Sequence, residues 1–335
     1  MIVPAYEQRR TGNMKATNRS YLRALFVALM IFQILMLPSL AIDSPALKSM
    51  PMDMPPPKIT LVLGGGGLRG VAHIAVLQAL LREGIKPDLV VGTSIGALVG
   101  GLYCAGIQPD VLRKEAVKGF VKDFYTAPIP VQLLKIPFFL LVHKNPQGIF
   151  AGGKLGKSID KRVKDNREIS EYQPRFAAVT TDLIVGRPFV ITHGDVGRAL
   201  QASAAIPVFR KPVRVGKALL VDGGVVANLP VREARALGAT FVIAVDVDEK
   251  LEPINDKVFE TKLGSISSRV VGLILARSDE MQQQEADVTI HPDVTGISLL
   301  SSKAADGNAA LKAGDVAVEQ MMPEIKRKLK AAGLM

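Results

Sequence analysis

Three short stretches hold residues whose types and spacing suit the chemistry of acyl transfer. The first is Gly92-Thr93-Ser94-Ile95-Gly96, a G-x-S-x-G sequence between a β-branched apolar run and a helical one. A serine in that context sits on a tight turn with its hydroxyl projecting above a sheet edge. The helix that follows offers amides and a positive dipole end to developing negative charge. Ser94 is therefore a candidate nucleophile, flanked by Gly92 and Gly96; its plain alternative is a helix N-cap. The second stretch is Gly64-Gly65-Gly66-Gly67-Leu68-Arg69-Gly70, directly after a strand. A tetrahedral oxyanion needs donors aimed at it, and consecutive glycines let backbone N–H groups approach without a Cβ in the way. Gly65, Gly66, Gly67 and Arg69 are the oxyanion-hole candidates, with Gly70 completing the loop. The third is Val221-Asp222-Gly223-Gly224, where a carboxylate at a strand end can be turned toward a serine. An isolated Asp-Gly reads equally well as a hairpin turn.

A serine nucleophile needs a base within hydrogen-bond reach, most often histidine. The four histidines are His73, His143, His193 and His291. His73 lies on an apolar helix and His193 in a turn, and none occupies a convincing triad position. Asp222, at a strand end beside two glycines, is a second candidate, and a histidine brought in by the fold stays open beside it. Residues 65–70 also fit G-x-G-x-x-G, a dinucleotide fingerprint, which expects an acidic residue at the end of the second strand. Asp88 begins that strand instead of ending it, and a nucleotide site leaves the G-x-S-x-G unexplained. The oxyanion reading is preferred.

The elements that must position these residues follow from periodicity. Ile59–Leu63 reads as a buried strand, residues 71–82 as a helix stopped by Gly84, Asp88–Val91 as a strand and Ile95–Ala105 as a helix. This opening is that of a parallel sheet with helices on its faces. A helix near 110–123, an apolar proline-broken segment at Ala127–Val142 and a glycine-rich turn at 148–156 follow. Strand signals return at Phe176–Thr181, Pro188–Thr192, Val213–Val215 and Ala218–Val221. Then come a helix at 231–237, a central strand at Thr240–Val247, a long helix near 258–282, a strand at Asp287–Ile290 and a closing helix near 308–331. The segment Ala127–Val142, with Phe138 and Phe139, suits either a membrane-dipping lip or buried packing.

The front of the chain reads as an address. Residues 24–37 are apolar, basic residues precede them, and Pro38-Ser39-Leu40-Ala41 follows. That is the pattern of a secretory signal over residues 1–41, with Met14 a plausible true start. An uncleaved anchor over 24–42 is the alternative, since ~20 apolar residues span a bilayer. Both place the rest outside the cytoplasm, with the periplasm the expected destination of an exported chain. Residues 42–57 are a proline-rich linker, and one domain is expected from 58 to 335. The net charge is +11, of which about +7 remains beyond the leader, a surplus that favours anionic surfaces. Aromatics are 5% with no Trp, and the basic residues are scattered, so nucleic acid is not an expected partner. The single cysteine, Cys104, excludes an intrachain disulfide and any multi-cysteine metal site.

In their order, the glycine loop at 65–70, the G-x-S-x-G at 92–96 and the D-G-G at 222–224 resemble the patatin-like phospholipase family. Ala202-Ser203-Ala204-Ala205-Ile206-Pro207-Val208-Phe209 and Asn228-Leu229-Pro230 agree with it. The resemblance implies a three-layer α/β/α fold with a mainly parallel sheet. It implies a Ser94–Asp222 dyad without histidine, no cofactor or metal, and a lipid acyl-ester substrate met at a membrane surface. Two other classes stand beside it: a non-catalytic lipid-binding or scaffold protein on the same fold, and a nucleotide-binding oxidoreductase.

Overall fold

The computed structural model describes residues 55–117, 153–207, 209–250, 253–261, 265–299 and 301–335. The address at 1–41, the linker apart from its last three residues, and the segment Ala127–Val142 lie outside the described residues. Among the described residues no helix is long and apolar enough to cross a membrane.

Eight strands form one sheet: β1 (Ile59–Leu63), β2 (Leu89–Thr93), β3 (Arg175–Asp182), β4 (Arg187–Ile191), β5 (Val213–Val215), β6 (Ala218–Asp222), β7 (Phe241–Val245) and β8 (Val288–Ile290). Their order is β5-β6-β3-β2-β1-β7-β8, with β4 also paired to β3. The run from β3 to β8 is parallel throughout. β4, β5 and β6 add antiparallel pairings at one end. The described helices are α1 (Ala72–Arg82), α2 (Ile95–Cys104), α3 (Pro109–Val117), α4 (Gly153–Val163), α5 (Val196–Ser203), α6 (Val231–Ala236), α7 (Lys257–Thr261), α8 (Ser265–Gln283) and α9 (Ala304–Ala331). Helix α7 and the opening of α8 through Arg269 belong to a separate compact unit; every residue of the site lies in the other one.

The central strands are apolar on both faces because both faces are covered. Leu61, Leu63, Val90, Phe176, Ala178, Ile243 and Val245 enter one core, together with residues of α1, α2, α5 and α9. Their alternating neighbours Val62, Leu89, Val91, Ala177, Val179, Val242 and Ala244 enter a second core with Val231 and Ala234 of α6. That period of two, filled on each side, makes the three layers and fixes the α/β class.

Two helices depart from the periodicity reading. Residues 153–156 form the start of α4 and not the end of a turn. Glycines at 153 and 156 lower its intrinsic propensity, but α4 packs closely on α5 at Gly197, where a Cβ would stand 2.3 Å from Asp160 Oδ1 and 3.1 Å from the Gly156 carbonyl oxygen. Helix α5 gave no clear signal because its buried side includes small residues, Gly197, Ala199 and Ala202. Asp195 caps it by accepting from the Arg198 N–H at 2.8 Å.

Helix α9 lies tightly on α1, where a Cβ on Gly314 would fall 2.5 Å from the Ala72 carbonyl oxygen. Among the described residues nothing lies within 4 Å of a Cβ on Gly272 in α8. Gly314→Ala should therefore cost about 1–3 kcal/mol through overpacking, whereas Gly272→Ala should stabilise by up to about 1 kcal/mol through helix propensity. Urea unfolding of the two variants checks the opposite signs.

Candidate active site

The site originates in strand register. β4 covers one edge of β3 along Ala178–Asp182. On the other edge β2 pairs with Arg175–Val179 and β6 with Thr180–Asp182. Thr93 is level with Val179, and Asp222 with Thr180. The carboxyl ends of β2 and β6 therefore meet head to head on adjacent rungs. The residue after Thr93 is Ser94, and its Oγ donates to Asp222 Oδ2 at 2.7 Å.

Both side chains are buried, at 6% exposure each. Burial pushes the Asp222 carboxyl up to about 6, against the opposing pulls of the Ser94 hydroxyl, the Gly224 amide and the Arg210 charge. The Gly224 N–H donates to Asp222 Oδ1 at 2.8 Å, so the second carboxylate oxygen is fixed as well. A carboxylate pushed up this way is a stronger proton acceptor than one in water.

Ser94 has φ 54°, a backbone conformation that costs a non-glycine residue energy and aims its side chain off the sheet. Its surroundings hold it there. The Ser94 N–H donates to Ser203 Oγ at 2.9 Å, and the Ser203 hydroxyl donates to the Val179 carbonyl at 2.7 Å. The Thr93 hydroxyl donates to the Ala227 carbonyl at 2.8 Å. Gly92, Gly96, Gly70 and Gly223 allow the surrounding chains to close in. A Cβ at these positions would press on the Ala97 amide, the Leu63 carbonyl, the Ile95 side chain and the Val179 carbonyl respectively.

The glycine loop leads from β1 past this serine into a short 3-10 turn, Gly67–Val71. The Gly64 and Gly65 N–H groups donate to the Val245 and Asn228 carbonyls, both at 3.0 Å, and the Leu68 N–H to the Leu299 carbonyl at 3.0 Å. Among the described residues no acceptor faces the amides of Gly66 and Gly67. These two remain available for an oxyanion. Gly65 is a correction to the sequence reading, because its N–H is already engaged. Arg69 positions the loop: its Nε donates to the Ile297 carbonyl at 2.6 Å and its Nη2 pairs with Glu249 at 2.8 Å. Those bonds tie the loop to the distal part of the chain. Gly67 has φ 57°, and a Cβ there would fall 2.1 Å from the Leu299 carbonyl oxygen, so only glycine fits.

His73 is fully buried, and its Nε2–H donates to the Gly64 carbonyl at 2.8 Å. Burial, opposed by that bond, lowers it to about 4, so it is neutral and braces the loop. His193 is exposed, His291 pairs with Asp246 at 3.2 Å, and His143 lies outside the described residues. Asp88 accepts from the Ile59 N–H at 2.8 Å, at the amino ends of the strands and far from the ribose position a dinucleotide would need.

Three acids were not singled out in the sequence. Asp246, Asp248 and Asp279 each place an oxygen within 4.8 Å of the others. Asn228 Nδ2 donates to Asp279 Oδ2 at 2.7 Å and to Asp248 Oδ2 at 3.2 Å, and the Leu229 N–H to Asp279 Oδ1 at 3.0 Å. Burial and then mutual repulsion raise Asp248 to about 6 and push Asp279 up. Amide donors aimed at a carboxyl–carboxylate pair suit a shared proton better than a cation. Ser203 is the other unflagged contributor, quoted in the sequence only as part of an Ala-rich patch. Ser203→Ala would strand the Ser94 amide and the Val179 carbonyl, and the expected loss is about 1–3 kcal/mol of stability by denaturant unfolding.

Comparison with known proteins identifies the family. Residues 61–235, which include the glycine loop, Ser94 and Asp222, match the model of the family described as patatin-like phospholipase. Patatin-like phospholipase domain-containing protein 6 of Mus musculus is 33% identical over 246 residues, 67% of this chain and 17% of that protein. Lysophospholipase NTE1 of Yarrowia lipolytica is 34% identical over 191 residues, 56% of this chain and 12% of that protein. The chain thus spans a small part of the length of these relatives. Among solved structures, VipD from Legionella pneumophila aligns with a TM-score of 0.45 at 14% identity, over 81% of this chain and 67% of that one. The chain belongs to the patatin-like phospholipase family.

Proposed function

We propose that the protein is a serine hydrolase of lipid acyl esters working through a Ser94–Asp222 dyad. The observation that carries this reading is the 2.7 Å bond from Ser94 Oγ to Asp222 Oδ2, with the glycine loop passing Ser94 at Gly65. The naming of one relative as a lysophospholipase supports a lipid ester as substrate.

In the proposed reaction Ser94 Oγ attacks the ester carbonyl carbon as its proton passes to Asp222 Oδ2. The Gly66 and Gly67 N–H groups receive the oxyanion. Collapse of the tetrahedral intermediate breaks the C–O bond, and the leaving alcohol takes the proton from Asp222. Water then attacks the acyl-enzyme, gives a proton to Asp222, and Ser94 recovers it as the fatty acid departs. The dipole of α2, which begins at Ile95, adds positive potential at the reacting centre. Residues 1–41 would deliver this domain beyond the cytoplasm, as a cleaved signal or as an anchor. N-terminal sequencing of the mature chain decides between them, because an anchor leaves residue 30 in place.

Asp222 must be ionised to accept the proton. With its carboxyl pushed up to about 6, kcat/KM should fall about tenfold per pH unit below that point. An ordinary surface carboxylate would give an acid limb nearer 4. A pH profile on a short-chain ester reads the limb. Ser94→Ala should bring turnover of every acyl ester in a substrate panel to background; retained turnover would refute the assignment. A scaffold protein on this fold would show no turnover in the parent chain.

A further inference from the structure

β3 does not stop where β2 does. Thr180–Asp182 carry the chain past Val179, the rung level with Thr93, which places the following turn about 10 Å beyond Ser94 at ~3.3 Å per residue. The turn to β4 is Leu183-Ile184-Val185-Gly186. Turns favour polar residues and glycine, yet these three aliphatic side chains are 49%, 60% and 62% exposed. The turn is also well braced. The Asp182 carboxylate accepts from the Ile184 N–H at 3.0 Å and the Leu219 N–H at 3.1 Å. The Gly186 N–H donates to the Asp182 carbonyl and the Leu183 N–H to the Leu219 carbonyl, at 2.8 and 2.9 Å. An apolar tip is thus displayed on a rigid support.

Its surroundings are cationic. Arg187 stands at the foot of the turn, opposite Asp182. The adjoining β5–β6 hairpin presents Arg214 and Lys217, both exposed, with Arg214 paired to the same Leu219 that binds Leu183. Residues 183–191 and 206–221 contain five Arg or Lys and no Asp or Glu. Aliphatic side chains with cations at their foot and on the adjoining hairpin match a bilayer surface, with acyl chains below and anionic headgroups at the rim. We propose that the β3–β4 turn is an interfacial anchor that seats the mouth of the site on an anionic lipid surface. This deepens the hydrolase reading and rests on it for its purpose, though lipid contact can be measured independently.

The test uses the full chain with Ile184→Cys carrying an environment-sensitive fluorophore. The native Cys104 is buried and burial raises its thiol well above the ordinary value, so it resists labelling. Lys86→Cys, exposed at the amino ends of the strands, is the control. On phosphatidylcholine vesicles doped with phosphatidylglycerol, the label at 184 should blue-shift and be quenched by nitroxide lipid, while the label at 86 stays in water. This local readout holds whatever residues 1–57 do. The combined Leu183→Ser, Ile184→Ser and Val185→Ser variant should raise KM for a vesicular ester about tenfold, or ~1.4 kcal/mol, and leave a soluble short-chain ester unchanged. A label at 184 that stays in water on these vesicles overturns the proposal, as do equal shifts at 184 and 86. Loss of self-association in the triple variant, with vesicle behaviour unchanged, would assign the turn to contact between copies and also overturn it. Label burial in a chain that hydrolyses nothing would support the anchor while refuting the hydrolase. Vesicle hydrolysis without label burial would do the reverse.

Discussion

The structure depends on two strands sharing one edge of β3. Parallel β2 arrives from one direction and antiparallel β6 from the other, and they stop on consecutive rungs. A carboxylate is thereby brought against a serine 128 positions away without any long side chain to bridge the gap. The constraint is strict, because a slip of one residue in β6 would turn Asp222 to the opposite face of the sheet. Closure of β5 onto β6 and of the Ala205 carbonyl onto the Asp222 N–H, at 3.0 Å, resists such a slip. The strained backbone of Ser94 is tolerated for the same reason: Ser203 and Val179 hold its amide from the strand that sets the register.

Support for the glycine loop comes from farther along the chain than the family-matched residues. Glu249, Ile297 and Leu299 hold Arg69 and Leu68, and Asp248 and Asp279 orient the Asn228 amide. With its Nδ2 committed to those acids, Asn228 presents Oδ1 toward Gly65 and Gly224, where a Cβ would meet it at 2.3 and 3.0 Å. One buried amide thus links the loop, the Asp-Gly-Gly turn and the acid cluster. The raised carboxyls of Asp248 and Asp279 fit a shared proton, which removes the cost of burying like charges together. The region beyond residue 245 is therefore part of the site's scaffold.

Much of this was legible in the sequence. Largely apolar runs rich in β-branched residues at 59–63, 88–91 and 240–247 announce strands buried on both faces, and the helices that follow the first two have clear periodicity. Ser94, Asp222 and the glycines stood out because a turn, a strand end and a close approach each demand particular residue types. The remainder depends on contacts between distant residues. Nothing local distinguishes Ser203 from any other helical serine, or Asp279 from a solvated acid on a polar helix. Gly65 looks like an oxyanion group by position, and only its partner, the Asn228 carbonyl, shows otherwise. Helices α4 and α5 were hidden because glycines that permit their close crossing also erase the signal of a helix. The aliphatic turn at 183–185 sat between two strand signals and reads as an anchor only once its height above Ser94 and its cationic neighbours are known.

The central claim is that a hydroxyl activated directly by a carboxylate, with no histidine between them, is the nucleophile. Timed labelling with a fluorophosphonate, read by peptide mass spectrometry, tests it most directly. A single adduct on Ser94 is expected, formed at least about a hundredfold more slowly in Asp222→Asn and at the parent rate when His143 or His193 is replaced by Gln, while His73→Gln, which removes the brace on the Gly64 carbonyl, should slow it less than Asp222→Asn. An adduct on another residue, or a histidine variant that stops the labelling while the chain stays folded, would contradict the account.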